Sequence, residues 1–432
     1  MSSISKTLSL ILILIMVFSI VIVIGAKPFG LAQSSTNESG IISSNTSWTQ
    51  AGSPYNLIGN FSVSSGATLT IEAGAKVNLN SYSMTVNGAL IAKGTNTNKI
   101  QINGINGEGP FMPPPAPNQS PFTYGINFTA LSIGYNTQTG SGSIIENAII
   151  NSTTMTLESS PKIDDDIING YITSNGTALI SNNLVVGEID LTGPSAVLNN
   201  KIDGTVSVQT DVIGGSQDTD NLQGTPMISN NTITGGGING IGISFLTAFT
   251  NRIVVSDNTI SNCNNAAVAA EGIGIIQNNL ISNNHDGIDI EGQNTVTNNT
   301  IENNYIGIQQ ISNFLSSIVY NNIQNNSYNF FLYTSVSGNV NATYNFWGST
   351  NQTAISTSIY DAKDDYNLGT VNFVPYLTAP NIQSTPSSTS TVPEFPTLAI
   401  LPLFLSMLSV AVILRHRKNA NLTPVLHNEA LT

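Results

Sequence analysis

Short runs of alternating apolar and polar residues recur between about residues 55 and 380. In "GIDIEG", Ile288 and Ile290 alternate with polar neighbours, and Ile306 and Ile308 do the same in "YIGIQQ". Such short alternation is typical of β-strands rather than helices. The same span shows no convincing amphipathic helical spacing. The pattern therefore predicts an all-β body built from many short strands.

Pairs of asparagines precede many of these runs at nearly regular intervals. "NNTIENNYIGIQQ" starts at Asn298 and "NNLISNNHDGIDI" starts at Asn278. Successive pairs lie 17, 31, 27, 21, 20 and 23 residues apart. A recurring period of this size indicates stacked units that form a solenoid. The second residues of the pairs form the series Asn183, Asn200, Asn231, Asn258, Asn279, Asn299 and Asn322.

We interpret the asparagine pairs as the corners of stacked coils, each containing two or three strands. Asparagine tolerates the left-handed backbone that a sharp corner needs. Asparagine amides stacked from coil to coil can also form a hydrogen-bonded ladder. The isoleucine after each pair, such as Ile301, is expected to point into the core. A ligand-binding role for these asparagines is the weaker alternative.

Two longer stretches carry a resemblance to a known family. They are "FSVSSGATLTIEAGAKVNLNSYSMTVNGALIAKGTNTNKIQING" at 61–104 and "YNFWGSTNQTAISTSIYDAKDDYNLGTVNFVPYLTAP" at 344–380. With the repeats, they resemble the right-handed parallel β-helix of the pectin-lyase-like superfamily. The resemblance covers residues 55–380 and implies a right-handed parallel β-helix solenoid. Since that superfamily includes lyases, hydrolases, epimerases and non-enzymes, it implies little about function.

Both ends of the chain have the apolar runs and flanking charges that are typical of membrane-targeting segments. Residues 1–32 carry Lys6 and a long apolar run, which predicts a signal peptide cleaved after Ala32, with an uncleaved anchor as the alternative. Residues 397–414 are uncharged and long enough for a transmembrane helix. The basic cluster that follows predicts a cytoplasmic tail at 415–432 and a body outside the cell.

A Ser/Thr/Pro stalk at 381–396 ends in Pro393, Glu394, Phe395 and Pro396. With the apolar segment and the basic cluster, these residues resemble the PEF-type sorting signal of archaeal surface proteins. The resemblance implies an archaeal host and an archaeosortase as partner. Because further residues follow the basic cluster, retention as a plain membrane anchor stays open.

The remaining body divides into an entry cap, a loop and a closing segment. Residues 33–54 are expected to form the entry cap. Residues 106–125 form a Pro-rich loop, since proline cannot donate to a strand ladder. Residues 344–380 close the solenoid, with Phe346 and Trp347 as an apolar lid. Stacking of Trp347 on a sugar is the alternative.

Composition narrows the set of partners. The chain has 12 Lys and Arg against 25 Asp and Glu, which argues against nucleic acid. Cys263 is the one cysteine and is read as a small buried residue, so no disulfide forms within the chain. No cofactor is expected, although calcium could bind loosely at Asp164–Asp166 or Asp361–Asp365. The glycosylation candidates are Asn60, Asn118, Asn127, Asn151, Asn175, Asn341 and Asn351.

Catalytic chemistry has one weak candidate in "HDGIDIE", which holds Asp286, Asp289 and Glu291. Asp289 and Glu291 should face outward, roughly 6.5–7 Å apart along the strand. That is near the roughly 6.5–9.5 Å spacing of carboxylates in inverting glycosidases. We nevertheless expect a solvated face, with no burial or charge to raise a pKa, and assign no catalytic residue.

Other chemistries have less support. The lysines and arginines of the body, which a uronate lyase would need, are scattered along the sequence and are not expected to cluster. Copper delivery is disfavoured because the body has a single histidine, His285.

The sequence therefore predicts a protein of the cell surface, anchored in the membrane by its C-terminal helix. It is expected to bind a polysaccharide or cell-surface glycan, or to serve as an envelope or adhesion module, without catalysis. The alternative is a polysaccharide-degrading hydrolase or lyase of the same fold.

Overall fold

A computed structural model describes residues 35–104, 125–209, 225–235, 239–247, 252–314, 316–384 and 386. The predicted signal peptide, most of the Pro-rich loop, the predicted sorting motif and the apolar C-terminal segment lie outside these residues. Among the described residues, no helix has the length and apolar character needed to cross a membrane.

The described chain forms a parallel β-helix of the right-handed type. The alternating pattern predicts its strands and the repeat predicts their stacking, whereas the right-handed form is implied by the resemblance. One face is a sheet with one short strand per coil, which we call the first face. Its 12 strands are β2 (Thr46–Trp48), β4 (Thr68–Ile71), β7 (Ala89–Lys93), β10 (Ile144–Glu146), β12 (Lys162–Asp164), β14 (Leu179–Ser181), β16 (Ala196–Leu198), β18 (Met227–Ser229), β21 (Arg252–Ser256), β24 (Ile273–Gln277), β27 (Asn294–Thr297) and β30 (Ser317–Val319).

A second sheet of 21 strands covers the other two faces of the solenoid. Its strands are β1 (Thr36–Ile42), β3 (Tyr55–Val63), β5 (Lys76–Asn78), β6 (Ser83–Val86), β8 (Ile100–Asn103), β9 (Gly125–Phe128), β11 (Ala148–Leu157), β13 (Ile167–Ser174), β15 (Leu184–Leu191), β17 (Lys201–Gln209), β19 (Thr232–Gly235), β20 (Ile243–Leu246), β22 (Thr259–Ser261), β23 (Ala266–Ala270), β25 (Leu280–Ser282), β26 (Asp286–Ile290), β28 (Thr300–Glu302), β29 (Ile306–Gln310), β31 (Asn322–Gln324), β32 (Tyr328–Leu332) and β34 (Ile359–Tyr360).

The two faces are joined by the long strands β1, β3, β11, β13, β15 and β17, and they are formed by separate strands in the coils of β5 with β6 and of β8 with β9. β13 runs as one strand and pairs with β15 over its whole length. After β17 the two faces are again formed by separate strands, so that β25 pairs with β22 and β28 while β26 pairs with β23 and β29. We call the face of β19, β22, β25, β28 and β31 the second face, and that of β20, β23, β26, β29, β32 and β34 the third.

The asparagine pairs form the corner between the first and second faces, as predicted. The first residue of a pair takes a left-handed backbone, with φ of 57° at Asn278 and 54° at Asn298. The second turns its amide inward, and Asn279 Nδ2 donates to Asn299 Oδ1 at 2.9 Å. Bonded in this way, a polar amide can lie in an apolar core without an unmet hydrogen bond. The ladder links Asn183, Asn200, Asn231, Asn258, Asn279, Asn299, Asn321 and Asn345.

The prediction of Asn322 as a ladder member is wrong by one residue. Asn321 holds that position, and its Nδ2 donates to Asn345 Oδ1 at 3.0 Å. Tyr320 takes the left-handed backbone before it, with φ of 61°. The corner therefore reads Tyr-Asn in this coil, and the second asparagine of the pair already belongs to β31.

Aromatic residues cover both ends of the core. In the first coil, Trp48 stacks on Tyr55 with ring centroids 4.7 Å apart. β1 and β2, expected as an entry cap, pair in parallel with β3 and β4 and so form this first coil. At the other end Trp347 is buried beside Phe330, which excludes it as a sugar-stacking surface and fits the predicted lid.

The closing segment contains helix α1 (Gln352–Thr357) and β35 (Val371–Asn372), which pairs in parallel with β33 (Val340–Asn341) just before the segment. After it, residues 381–384 turn back along the second face; we call them the return segment. Asn381 N donates to Asn322 Oδ1 at 2.7 Å, and Ser384 accepts a bond from Thr300 one coil earlier. The chain therefore leaves the last coil and runs back towards the N-terminal end.

Candidate functional site

A straight column of outward side chains runs along the third face and its continuation in the long strands. Its members are in register from coil to coil, with about 4.8 Å between neighbours. We call it the central column. Its residues are Ile41, Ser62, Thr85, Asn127, Thr156, Thr173, Asp190, Ser207, Ser244, Ala269, Asp289, Gln309, Phe331 and Tyr360.

Alternation on β26 places Asp289 on this column. Ile288 and Ile290 are fully buried, so the residue between them faces away from the core, as the sequence predicts. Glu291 follows the strand and is exposed. The three predicted candidates Asp286, Asp289 and Glu291 thus lie on one strand and the turn after it.

The expectation that Asp289 is freely solvated is wrong. The residue is half-buried, and its Oδ1 is inaccessible to solvent and has no hydrogen-bond partner among the described residues. Burial raises the pKa of the Asp289 carboxyl to about 8, and the charge of Asp286 adds to the rise. Alternation determines which face a side chain takes, but the depth depends on neighbouring coils.

Asp286 and the glutamates extend this acidic region. Asp286 is buried, and its Oδ1 lies 2.9 Å from His285 Nδ1. Burial raises the pKa of Asp286, against the opposing effect of His285. One coil earlier, burial and the charge of Glu291 raise the pKa of Glu271.

A second acidic pair, Glu188 and Asp190 on β15, was missed from the sequence. Both face outward around the buried Ile189, and Asp190 belongs to the central column. Burial raises the pKa of Asp190 to about 6, with a contribution from Glu188, whose own pKa burial also raises. The segment "GEIDL" has the same alternation as "GIDIEG", and this signal could have identified the pair.

Aromatic side chains occupy the C-terminal end of the column. The rings of Phe331 and Tyr360 stack with centroids 4.5 Å apart, and Tyr328 meets both edge-on. Tyr305 lies 6.0 Å from Tyr328 and is half exposed. We call Tyr305, Tyr328, Phe331 and Tyr360 the aromatic cluster. His285, 5.0 Å from Tyr305, connects the cluster to Asp286.

The expectation that basic residues do not cluster is wrong for three lysines. Lys93 Nζ lies 3.7 Å from Glu146, and Lys162 Nζ lies 2.5 Å from Asp164. Lys99 Nζ donates to the backbone oxygen of Asp165 at 2.9 Å. Stacking explains the convergence, because residues far apart in sequence share a register, as Lys93 and Glu146 do on β7 and β10.

We call the region of Lys93, Lys99 and Lys162 the lysine-rich corner. It contains Asp164 and Asp165 of the predicted "DDD" site, and three acids here approach metal-binding geometry. Oxygens of Glu146, Asp164 and Asp165 lie within 4.8 Å of one another. Asp164 is already bonded to Ser181 at 2.6 Å and to Lys162. Because an ammonium group fills one side of the carboxylate, these residues do not fit a calcium ion well.

Asp166, the last residue of "DDD", belongs to the asparagine ladder instead. Its Oδ1 accepts a bond from Ala148 N at 2.6 Å, and its backbone N–H donates to Asn183 Oδ1 at 2.9 Å. Oδ2 is buried with no partner among the described residues. Burial raises the pKa of Asp166 well above its ordinary value.

The remaining predicted sites are distributed over the surface. The exposed glycosylation candidates are Asn60, Asn175, Asn341 and Asn351, whereas Asn127 and Asn151 are partly buried. Asn151 Nδ2 donates to Asn103 Oδ1 at 3.2 Å, so a glycan there would break this bond. Asn118 and the sorting residues 393–396 lie outside the described residues. In the closing turn, Asp361 Oδ2 accepts a bond from Val371 N at 3.0 Å, which indicates a structural role.

No protein-family model matches the chain, and no curated protein matches it. Among solved structures, the periplasmic alginate epimerase AlgG aligns with 14% identity over 76% of this chain and 75% of that chain, with a TM-score of 0.33. A point mutant of that epimerase aligns with a TM-score of 0.28. Similarity at this level says nothing about the central column. The fold is assigned from the strand register of this chain.

Proposed function

We propose that this protein binds glycans along the central column while anchored at a cell surface. The observation that carries the proposal is the continuity of the aromatic cluster with partly desolvated acidic groups on one straight line. Sites for small polar ligands usually combine aromatic surface with a few placed polar groups that fix orientation. A linear polymer could follow a column whose members repeat every ~4.8 Å.

The surface location rests on the sequence of the two ends. Residues 1–32 would direct export, and residues 397–414 would hold the protein in the membrane. The PEF-like residues 393–396 would instead mark the C-terminus for processing. In either case the solenoid would face the outside, where polysaccharides are available.

Glycan-array binding of the purified full chain, compared with Tyr305→Ala and Phe331→Ala, tests the proposal. Each substitution removes ring surface next to the column, and binding should fall strongly in both. Tyr366→Ala is the matched control, because Tyr366 is 89% exposed and lies in the closing turn outside the aromatic cluster. Binding that survives both cluster substitutions would place the glycan elsewhere.

A second candidate function is glycoside hydrolysis, favoured by the raised pKa values of Asp190 and Asp289. A carboxyl group that keeps its proton near neutral pH can serve as a general acid, while a neighbouring carboxylate acts as a base. Glu188 and Asp190, two residues apart on one face of β15, have a spacing of roughly 6.5–7 Å along the strand, whereas Glu291 lies in the turn after the strand of Asp289. Reducing-sugar release that is lost in Asp190→Asn or Asp289→Asn would establish this activity.

A further inference from the structure

The charged groups beside the central column are of one sign. Between Tyr171 and Tyr333, the outward residues of this face and the turn after it include six acids. Among the described residues of the same strands and turn, the basic residue is Lys201, which lies at the opposite end of β17 from the column residue Ser207 and pairs with Leu184. The acids are Glu188, Asp190, Glu271, Asp286, Asp289 and Glu291.

The lysine-rich corner shows that this is a local property. There Lys93 and Lys162 pair with the carboxylates of Glu146 and Asp164, and Lys99 donates to the backbone oxygen of Asp165. The acids of the column have no such partner, and Asp190 and Asp289 are also partly removed from water. Burial favours the protonated form of such acids; a cationic ligand would favour their ionised form and pair with it, whereas an anionic ligand would not.

The spacing of these acids suits a repeating ligand better than a single metal ion. Among the described residues, the group of acids whose oxygens converge within 4.8 Å is Glu146, Asp164 and Asp165, which lies away from the column. Asp190 and Asp289 are four strands apart on the column, a separation of about 19 Å. Small residues, Ser207, Ser244 and Ala269, lie between them and leave the line unobstructed.

The aromatic cluster adds a second feature that favours cations. Tyrosine and phenylalanine rings attract ammonium groups through their π-faces. Tyr305 is half exposed and adjoins the pair of His285 and Asp286. An ammonium group near this edge would meet a ring and a carboxylate together.

We infer that the ligand of the central column is a polysaccharide bearing free amino groups, and not a uronate polymer. This inference rests on the proposed glycan-binding function and specifies its ligand class. The amines would pair with the acids of the column, and the sugar rings would contact the aromatic cluster. A uronate polymer would place carboxylates against carboxylates and would be repelled.

The test measures binding of three oligosaccharides of equal length to the full chain by calorimetry. They are an oligomer of β-1,4-linked glucosamine, its fully N-acetylated counterpart and an oligouronate, under conditions in which the amines are protonated. The glucosamine oligomer should bind most tightly and the oligouronate least. In Glu271→Gln/Glu291→Gln, which alters two exposed residues, its affinity should fall by about threefold to tenfold.

The matched control is Glu72→Gln/Asp203→Asn, which removes two exposed charges away from the column and should leave affinity unchanged. Equal binding of the glucosamine and N-acetylated oligomers, unaffected by the glutamine substitutions, would overturn the inference and leave glycan binding intact. Binding of the oligouronate, alone or with added calcium, at least as tight as that of the amine oligomer would also overturn it. Absence of binding by all three, and by the wider array, would count against the proposed function itself.

Discussion

Asp166 is a carboxyl group in a position built for an amide. The other members of its ladder use Nδ2 as a donor inside the core, as Asn183 does towards Asn200 Oδ1 at 3.0 Å. Asp166 places Oδ2 there, and an ionised oxygen cannot donate. Protonation is the way for this group to avoid a buried, unpaired charge, which agrees with its raised pKa.

Asp166→Asn should therefore stabilise the protein at neutral and higher pH, by about 1–3 kcal/mol. A raised folded-state pKa gives stability that is full below the unfolded pKa and is lost as the pH rises through the folded pKa. The gain from asparagine should accordingly be smallest at acidic pH. Urea unfolding at several pH values measures this, and a variant that is less stable at pH above neutrality would contradict it.

Ile301 provides a test of the inward register. It is fully buried, and truncation to alanine should cost about 2–5 kcal/mol of unfolding free energy. Ile58, an isoleucine that is 57% exposed, is the matched control, and Ile58→Ala should change stability far less. Equal losses in the two variants would show that the assigned core face is wrong.

At the scale of single residues, the sequence predicts which way a side chain points but not how deeply it is buried. The facing of Ile288, Asp289 and Ile290 follows from alternation alone. The desolvation of Asp289 does not, because it depends on side chains from adjacent coils that the local pattern cannot reveal. The error of one residue that placed Asn322 in the ladder has a similar cause. Only the register between stacked coils identifies Asn321 as the residue that turns inward.

At the scale of elements, the two residues of each asparagine pair have separate roles. Asn278 supplies the left-handed backbone, whereas Asn279 bonds to Asn299 and to the backbone oxygens of Val255 and Gln277. The sequence predicts both the corner and the ladder, because both follow from properties of asparagine itself. The sequence does not predict that Lys93 and Glu146 lie side by side, because the connections between coils differ in length.

Asn279→Ala should destabilise the solenoid by at least about 1–3 kcal/mol, because it leaves buried partners on both sides unpaired. Asn278→Gly is the matched control at the adjacent position. Glycine accepts a positive φ without strain, so this change should be nearly neutral. Thermal and denaturant unfolding of both variants separates the two roles, and similar losses in each would refute the assignment.

On the scale of the whole molecule, the sequence adds an apolar segment on each side of the solenoid, at 1–32 and 397–414. If the C-terminal segment is the anchor, deletion of residues 397–418 should move the protein from the membrane fraction to the medium. Fractionation followed by immunoblotting would detect the change. Retention of the truncated protein on cells would instead identify residues 1–32 as an uncleaved anchor.

The return segment determines how a pull from the C-terminal side would reach the solenoid. Because residues 381–384 run back over two coils, tension would first open the bond between Ser384 and Thr300. The bonds between Asn381 and Asn322 would open next, before the final coil carries load. Bonds arranged in such a series fail one at a time, like a strip being peeled. The return segment would thus detach by peeling at low force, before the stacked coils are loaded.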